Sequence, residues 1–174
     1  MPEMTQRLRF ALVGKSGSGK SEAAKILQGL TGCRIVKTGA VCRQISRMLF
    51  GNEDKASTQL LDDALTPIDP SIFLRASLRD LADSERIVID SLRFASDYAL
   101  AKTLGCAIIR VEASEDDRVA RLDRRGQQFD PLQNGSHRSE TELDTFATDH
   151  ILVNNGTLDD LLAHASTIAG SALK

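Results

Sequence analysis

The amino-acid sequence predicts a three-layer α/β fold, in which helices cover both faces of a five-stranded parallel sheet. Short runs rich in β-branched residues alternate along the chain with longer stretches of helical periodicity. The short runs are almost continuously apolar, as expected for strands that are buried on both faces. The chain has 174 residues, which is the length of one compact domain. We therefore expect a single domain over residues 1–174.

The predicted elements follow one another in a regular order. Strands are expected at residues 8–13, 34–36, 86–90, 106–111 and 150–153. Helices are expected at residues 18–30, 40–49, 71–82, 95–104, 114–125, 139–146 and 158–169. Residues 51–57 are polar, and residues 126–137 are rich in Gly, Gln and Asn without periodicity, so we expect loops at both places.

Composition and charge exclude several classes of protein. Hydrophobic residues make up 41% of the chain and charged residues 26%, which excludes disordered and collagen-like chains. The net charge of -2 provides no overall field that would attract nucleic acid or an anionic membrane. No stretch of about 18 apolar residues could span a bilayer. We therefore expect a soluble, cytoplasmic protein without a membrane partner, either a monomer or a homodimer.

The cysteines and histidines show no ligand spacing. The cysteines are odd in number and form no C-x-x-C pair, which argues against a disulfide framework or a zinc site; they are Cys33, Cys42 and Cys106. The histidines are scattered and receive no role; they are His137, His150 and His164. Arginine makes up 15 of the 22 basic residues, and its guanidinium group suits bidentate contacts with phosphate.

The most specific motif is residues 14–21, GKSGSGKS, which satisfy the pattern G-x-x-x-x-G-K-[ST] between the first strand and the first helix. Glycines let successive backbone N–H groups point at a phosphate, and the helix N-terminus adds partial positive charge. We expect Lys20 to bridge the β- and γ-phosphates and the Ser21 hydroxyl to ligate Mg²⁺. The candidate nucleotide-binding residues here are Gly14, Ser16, Gly17, Ser18, Gly19, Lys20 and Ser21. The motif predicts a P-loop NTPase fold that binds ATP with Mg²⁺.

The rest of the sequence favours a phosphotransferase over a switch or a motor. A guanine-specific switch needs an N-K-x-D-like base reader, which the sequence lacks, and 174 residues leave little room for the accessory elements of a motor. A phosphotransferase needs an acceptor-binding region, a carboxylate near magnesium and a lid that carries arginines. We expect the acceptor-binding region at about residues 37–84 and the lid at about residues 121–140.

Two segments contain the candidate acceptor-binding residues. Residues 37–43, KTGAVCR, resemble the T-G-x-x-x-R start of the acceptor helix in nucleoside monophosphate kinases of the adenylate and cytidylate kinase type. This resemblance implies that Thr38 lies beside the acceptor nucleoside and that Arg43 holds its phosphate. Residues 90–94, DSLRF, resemble the D-x-x-R segment of phage-type deoxynucleoside monophosphate kinases, which implies that Arg93 also binds a phosphate. The looser match to the D-G-x-P-R segment of adenylate kinases lacks the Gly and the Pro and is one residue shorter.

Asp90 ends the third predicted strand, at the edge where open α/β sheets bind their ligands. A carboxylate at this position can hold a magnesium-bound water or accept a proton from an acceptor hydroxyl. We therefore predict Asp90 as a catalytic and metal-binding residue, together with Ser21 as the second metal ligand. A helix-capping role is the structural alternative for Asp90.

The lid candidates are arginines. Arg121 and Arg125 are four positions apart, so both guanidinium groups leave one helix face and are predicted to stabilise the transferring phosphate. Their spacing resembles the R-x-x-x-R that opens the adenylate kinase lid, and Arg138 is a candidate substrate ligand from the second arm. Residues 154–158, NNGTL, resemble the N-x-G-[ST]-L turn of dephospho-coenzyme A kinases and deoxynucleoside monophosphate kinases. The resemblance implies that Asn155 and Gly156 border the adenine, although a plain turn before a helix gives the same pattern.

Several acceptors stay open. The resemblance implies transfer of the γ-phosphate of ATP to a nucleoside or deoxynucleoside monophosphate, and the absence of an acidic residue in Lys37-Thr38-Gly39 favours a phosphate acceptor. Because Asp90 could serve as a base, a hydroxyl acceptor is the alternative, either dephospho-coenzyme A or 5-hydroxymethyluracil in phage DNA. Only the DNA acceptor would make nucleic acid a partner. A nucleotide-binding regulator without catalysis is the hypothesis from another class.

Overall fold

A computed structural model describes residues 8–127, 129–130, 132 and 134–172 of the chain. The strands in this part are β1 (Arg9–Val13), β2 (Arg34–Val36), β3 (Ile87–Ile89), β4 (Ala107–Glu112) and β5 (His150–Val153). The helices are α1 (Lys20–Thr31), α2 (Thr38–Phe50), α3 (Lys55–Leu65), α4 (Ile72–Ser77), α5 (Ala95–Thr103), α6 (Glu115–Arg124), α7 (Arg138–Thr141) and α8 (Leu158–Ala172). No helix among the described residues is long and apolar enough to cross a membrane.

The strands form one parallel sheet of five strands in the order β2-β3-β1-β4-β5. β1 lies at the centre, where Phe10 pairs with Val88 of β3 on one side and Ala107 of β4 on the other. All five residues of β1 are buried, because helices cover the sheet on both faces. The predicted three-layer α/β fold with a five-stranded parallel sheet is therefore confirmed.

Alternate residues of β1 enter two different hydrophobic cores, because successive strand side chains point to opposite faces. Phe10 and Leu12 belong to a core that includes residues of α1 and α8. Ala11 and Val13 belong to a core that includes residues of α4 and α5. β1 is thus anchored on both sides, and the loop that follows it starts from a rigid support.

A smaller cluster joins α2, α3 and α4 around Cys42, Leu61 and Phe73. These helices lie within residues 37–84, the predicted acceptor-binding region. All three cysteines of the chain are free and buried. Burial raises the pKa of Cys42 to about 11 and that of Cys106 to about 12, so both thiols stay protonated at neutral pH.

Helix α3 corrects the sequence analysis. The sequence predicts a loop throughout residues 51–57 and no helix between that loop and residue 71, but α3 begins at Lys55. Asp54 caps this helix, since its side chain accepts a hydrogen bond of 2.8 Å from the backbone N–H of Ser57. The polar composition of residues 51–57 therefore reflects a cap and a first helical turn as well as a loop.

Helix α4 is shorter than the predicted segment of residues 71–82, because it ends at Ser77. The guanidinium group of the buried Arg9 donates to the carbonyl oxygens of Ala82 and Asp83. Arg9 on β1 thus holds residues 82–83 in a non-helical conformation beside the sheet.

Helix α7 is likewise shorter than the predicted residues 139–146, because it ends at Thr141. The guanidinium group of Arg110 on β4 donates to the carbonyl oxygens of Leu143 and Phe146, at 2.9 and 2.7 Å. This contact directs Leu143 into the core, where it is buried. An arginine contact from a distant strand thus replaces the last turns of the helix.

Candidate active site

The parallel arrangement brings the carboxyl ends of the strands to one edge of the sheet, where the phosphate loop follows β1. In this loop Gly17 and Gly19 adopt φ values of 79° and 102°. A side chain at Gly19 would collide with the amide of Asn154, and one at Gly17 would lie 2.5 Å from the carbonyl oxygen of Arg118. These glycines are required by both conformation and space, which gives the loop its close fit against α6 and the end of β5.

Lys20 folds back over the loop. Its Nζ donates to the carbonyl oxygens of Gly14 and Lys15, at 2.5 and 2.9 Å. Burial lowers the pKa of Lys20 to about 8, although nearby Glu140 and Asp90 favour the charged form. Within the described residues, the Oγ of Ser18 is buried and has no hydrogen-bond partner. A buried cation and an unsatisfied donor in a glycine loop fit a bound triphosphate.

A cavity of about 190 Å³ opens beside this loop. Besides loop residues and Lys20, its walls include Ser21, Arg43, Asp90, Arg93 and Arg125. The sequence analysis selected all five, and the structure brings them together at the carboxyl edge of the sheet. The cavity therefore combines the side-chain oxygens of Ser21 and Asp90 with the guanidinium groups of three arginines.

Asp90 lies at the end of β3 and is held by the start of α2. One of its carboxylate oxygens accepts hydrogen bonds from the backbone N–H of Thr38 at 3.1 Å and from its hydroxyl at 3.3 Å. The Thr38 hydroxyl also donates to the carbonyl oxygen of Ser91 at 2.6 Å. Burial raises the pKa of Asp90 above its usual range, despite these hydrogen bonds. Thr38 thus lies against Asp90 and Ser91. It does not line the cavity beside the phosphate loop.

Ser21 and Asp90 are the residues that could hold Mg²⁺. Both line the same cavity, and hydroxyl and carboxylate oxygens are the ligands that Mg²⁺ prefers. The described residues contain no cluster of three or more His, Cys, Asp or Glu side chains arranged for a metal. This donor set fits an ion that takes most of its remaining ligands from phosphate oxygens and water.

Arg43 and Arg93 approach each other over Gly39. A Cβ atom on Gly39 would lie 2.6 Å from the Nη1 of Arg43 and 3.0 Å from the Nη2 of Arg93. Arg93 also pairs with Asp62 on α3, where Nη1 and Oδ2 are 3.0 Å apart and the Asp62 side chain is only 1% exposed. Burial opposes the charge on Arg93, but Asp62 and the weaker contributions of Cys42, Glu140 and Asp97 together more than offset this and raise the pKa of Arg93. Two permanent cations thus face one small cavity.

A larger cavity of about 560 Å³ continues from this point toward α2 and α3. It shares five wall residues with the smaller cavity, namely Ser16, Arg43, Arg93, Leu122 and Gln127. Its other walls include Lys55, Thr58 and Phe129, together with the acidic residues Glu53 and Asp54. The cavity has space for a small molecule, and its walls combine cationic, acidic and apolar residues.

Arg121 on α6 and Arg125, which directly follows this helix, make different contacts. Arg121 donates to the carbonyl oxygen of Asn154 at 2.8 Å and to those of Gly17 and Ser18 at 3.4 Å, so it fastens the phosphate loop to the end of β5. Arg125 instead lines the smaller cavity. The expected convergence of both side chains on one phosphate is therefore not seen, and their catalytic roles stay predictions.

The other predicted ligands lie away from the cavities. Arg138 is stacked over the ring of Phe94, with 4.5 Å between Cζ and the ring centroid, and pairs with Glu142. Asn155 accepts a hydrogen bond from the backbone N–H of Ser114 through its Oδ1. Gly156 faces the carboxylate of Asp160. The substrate role of Arg138 and the adenine-binding roles of Asn155 and Gly156 also stay predictions.

Three charged residues at the site were not selected from the sequence. They are Lys55 on α3, Asp62 on α3 and Glu140 on α7. Glu140 accepts hydrogen bonds of 2.8 Å from both the backbone N–H and the hydroxyl of Ser16, and pairs with Lys55 at 2.6 Å. No local motif marks these residues, because their partners are far away in sequence.

Solved structures resemble this chain over nearly its whole length, whereas no family model matches it and no curated protein is significantly similar in sequence. A gluconokinase from Sinorhizobium meliloti 1021 has a TM-score of 0.63 at 19% identity, covering 95% of each chain. Shikimate kinase from Acinetobacter baumannii, in complex with shikimate, has a TM-score of 0.57 at 14% identity, covering 97% of this chain and 92% of that one. TT1252 from Thermus thermophilus has a TM-score of 0.60 at 18% identity, covering 97% and 99%. The chain therefore has the fold of P-loop kinases.

Proposed function

We propose that this protein transfers the terminal phosphoryl group of ATP to the phosphate of a nucleoside or deoxynucleoside monophosphate. The observation that carries the proposal is the cavity of about 190 Å³ in which Lys20 of the phosphate loop meets Arg43, Arg93 and Arg125. Phosphoryl transfer between two phosphates brings several negative charges together, and fixed cations around the reacting atoms lower that barrier. The fold of P-loop kinases supports the same reaction class.

The donor side of the reaction depends on the phosphate loop. The backbone N–H groups of residues 16–21 and the Lys20 ammonium would bind the phosphates of ATP, while Arg121 keeps the loop in shape. Ser21 and Asp90 would hold Mg²⁺, which when bound neutralises charge on the β- and γ-phosphates. Arg125 would stabilise charge on the group in transit.

The acceptor side depends on the two guanidinium groups over Gly39. Arg43 and Arg93 line both cavities, so they can orient a dianionic phosphate of the acceptor toward the donor. Leu122 and Phe129 offer an apolar wall for a base in the larger cavity. A phosphate acceptor is already nucleophilic as an anion, so this reaction needs orientation more than a base.

A second candidate is transfer to a hydroxyl group of an anionic acceptor. The observation that favours it is Asp90, a partly buried carboxylate with a raised pKa that lines the cavity and could take the hydroxyl proton. The gluconokinase and shikimate kinase with this fold are named for acceptors of another kind than nucleotides. In this case Arg43 and Arg93 would bind the acceptor's carboxylate or phosphate.

An acceptor panel tests the proposal. Formation of ADP from Mg·ATP would be followed with each nucleoside and deoxynucleoside monophosphate, then with gluconate, shikimate, dephospho-coenzyme A and DNA containing 5-hydroxymethyluracil. We expect ADP formation to rise strongly with at least one monophosphate. Stimulation by hydroxyl compounds alone would replace the leading proposal with the second candidate. Hydrolysis that no acceptor changes would instead favour a nucleotide-binding regulator.

A further inference from the structure

The carboxylate of Glu140 occupies the phosphate loop from the acceptor side. Its two oxygens accept hydrogen bonds from the backbone N–H and the hydroxyl of Ser16, each 2.8 Å long. Backbone N–H groups of such a loop are the donors that bind phosphate oxygens. Glu140 therefore accepts a hydrogen bond from the Ser16 N–H, a donor that a bound phosphate would also need.

The charge on Glu140 is balanced by two cations. Lys55 on α3 is 2.6 Å from the carboxylate, and the side chains of Lys55 and Glu140 are 19% and 6% exposed. Burial alone would raise the pKa of Glu140, but Lys55, Lys20 and the hydrogen bonds from Ser16 lower it to about 2. Glu140 is thus a buried anion at every physiological pH.

The two residues that contact the Glu140 carboxylate, Ser16 and Lys55, line these cavities. Ser16 borders both the small cavity at the phosphate loop and the larger acceptor cavity. Lys55 lines only the larger one of these two. An anion that took the place of Glu140 at Ser16 would leave Lys55 facing the acceptor cavity with an unpaired charge.

We propose, on the basis of the function given above, that Glu140 is an internal occupant of the phosphate loop that the triphosphate displaces, and that its displacement frees Lys55 for the anionic group of the acceptor. The two anions compete because they need the same donors and repel each other in a partly buried site. Binding of the donor therefore prepares the acceptor cavity, and by linkage the acceptor's anion favours donor binding.

This competition predicts effects of opposite sign for the two members of the pair. Glu140→Gln removes the competing charge, so we expect the non-hydrolysable triphosphate AMP-PNP with Mg²⁺ to bind at least about fivefold more tightly. Lys55→Gln leaves the carboxylate charge unbalanced near the phosphates, so we expect at least about fivefold weaker binding. In the double variant Glu140→Gln/Lys55→Gln the carboxylate that Lys55 balances is absent, so we expect the affinity to stay near that of Glu140→Gln. A pair that only fastens α7 to α3 would weaken binding in both single variants.

Isothermal titration calorimetry of the full chain provides the test, with Glu142→Gln as the matched control. Among the described residues, Glu142 pairs with Arg138 and accepts a hydrogen bond from the backbone N–H of Ala95, and it has no hydrogen bond or ion pair with the phosphate loop. We expect the Glu142→Gln variant to bind AMP-PNP as the wild type does, and the gain in Glu140→Gln to shrink in high salt.

Three results would overturn the competition. Equal affinities of wild type and Glu140→Gln would show that Glu140 does not compete with the triphosphate, although the nucleotide site itself would still stand. Weaker binding by Glu140→Gln would assign the residue a supporting role in the loop. Failure of every variant to bind AMP-PNP would overturn the nucleotide site itself, and the competition with it. Thermal melts of each variant confirm that binding is measured on folded protein.

Discussion

Among single residues, Lys20 loses its proton more readily than an exposed lysine does. Burial lowers its pKa to about 8, so the amine is mostly cationic at pH 7 and mostly neutral at pH 9. Because a triphosphate binds the cation, the dissociation constant of Mg·AMP-PNP should rise about tenfold between pH 7 and pH 9. Calorimetric titrations at the two pH values measure this change. An unchanged constant would show that Lys20 does not contact the phosphates.

Removing this lysine tests the same residue by another route. We expect Lys20→Ala to lower phosphoryl transfer by about 10²-fold or more, and to abolish the pH dependence of nucleotide binding. Lys25→Ala is the matched control, since Lys25 lies on the same helix α1, is exposed, and pairs only with Glu22 among the described residues. Activity that falls equally in both variants would point to damage of α1 as a whole.

Asp62 is expected to stabilise the fold through its ion pair with Arg93. Its carboxylate is buried and pairs with Arg93, so Asp62→Ala leaves a buried guanidinium without its counter-ion. Breaking a buried pair in this way costs about 3–5 kcal/mol of unfolding free energy. Asp63→Ala, at the neighbouring and mainly exposed position, should cost below about 1 kcal/mol. Urea denaturation measures the free energy of unfolding of both variants. Equal losses would show that the ion pair with Arg93 does not stabilise the fold more than an exposed contact does.

At the scale of elements, Arg121 on α6 and Arg125, the residue that directly follows this helix, have separate contacts. Arg121 holds carbonyl oxygens of the phosphate loop and of Asn154, whereas Arg125 faces the cavity. We therefore expect Arg121→Ala to weaken nucleotide binding at least about tenfold, since the loop loses two hydrogen bonds and its link to Asn154. Arg125→Ala should instead lower kcat with little change in nucleotide affinity, because its guanidinium acts on the group in transit.

The control for this pair is Arg124→Ala on the same helix. Arg124 is exposed and donates to the carbonyl oxygen of Ala120 one turn earlier. Its removal should leave both nucleotide affinity and kcat close to the wild-type values. If Arg121→Ala and Arg125→Ala change the same constant by the same amount, the two arginines act together and the division is wrong.

Local elements of the site were predictable, and contacts between distant elements were not. The phosphate loop and Asp90 follow directly from strands that the pattern of apolar residues marks. Lys55 and Glu140 are 85 positions apart, and Glu140 is 124 positions from Ser16, so no local spacing connects them. Arg138 fits a ligand by position in sequence, but its ring contact with Phe94 is decided by tertiary packing.

For the whole molecule, burial explains which parts of the fold could be predicted. The strands are buried on both faces and therefore appear in the sequence as apolar runs, which is why the sheet was predictable. The strand order β2-β3-β1-β4-β5 depends on connections over the sheet and leaves no mark in any single strand. Helix α3 was missed because its buried side is mostly polar and shows no apolar periodicity; the buried residues are Ser57, Thr58, Gln59, Leu61 and Asp62.

The whole molecule should also report ligand binding through its stability. A ligand that binds only the folded chain at about 100 times its dissociation constant adds about 2.7 kcal/mol. For a domain of 174 residues this shifts Tm by about 5–10 °C. We expect this shift with Mg·AMP-PNP in a thermal melt, and a much smaller one for Lys20→Ala. No shift in the wild type would contradict nucleotide binding, because a site built on the central strand of the sheet cannot bind without stabilising the fold around it.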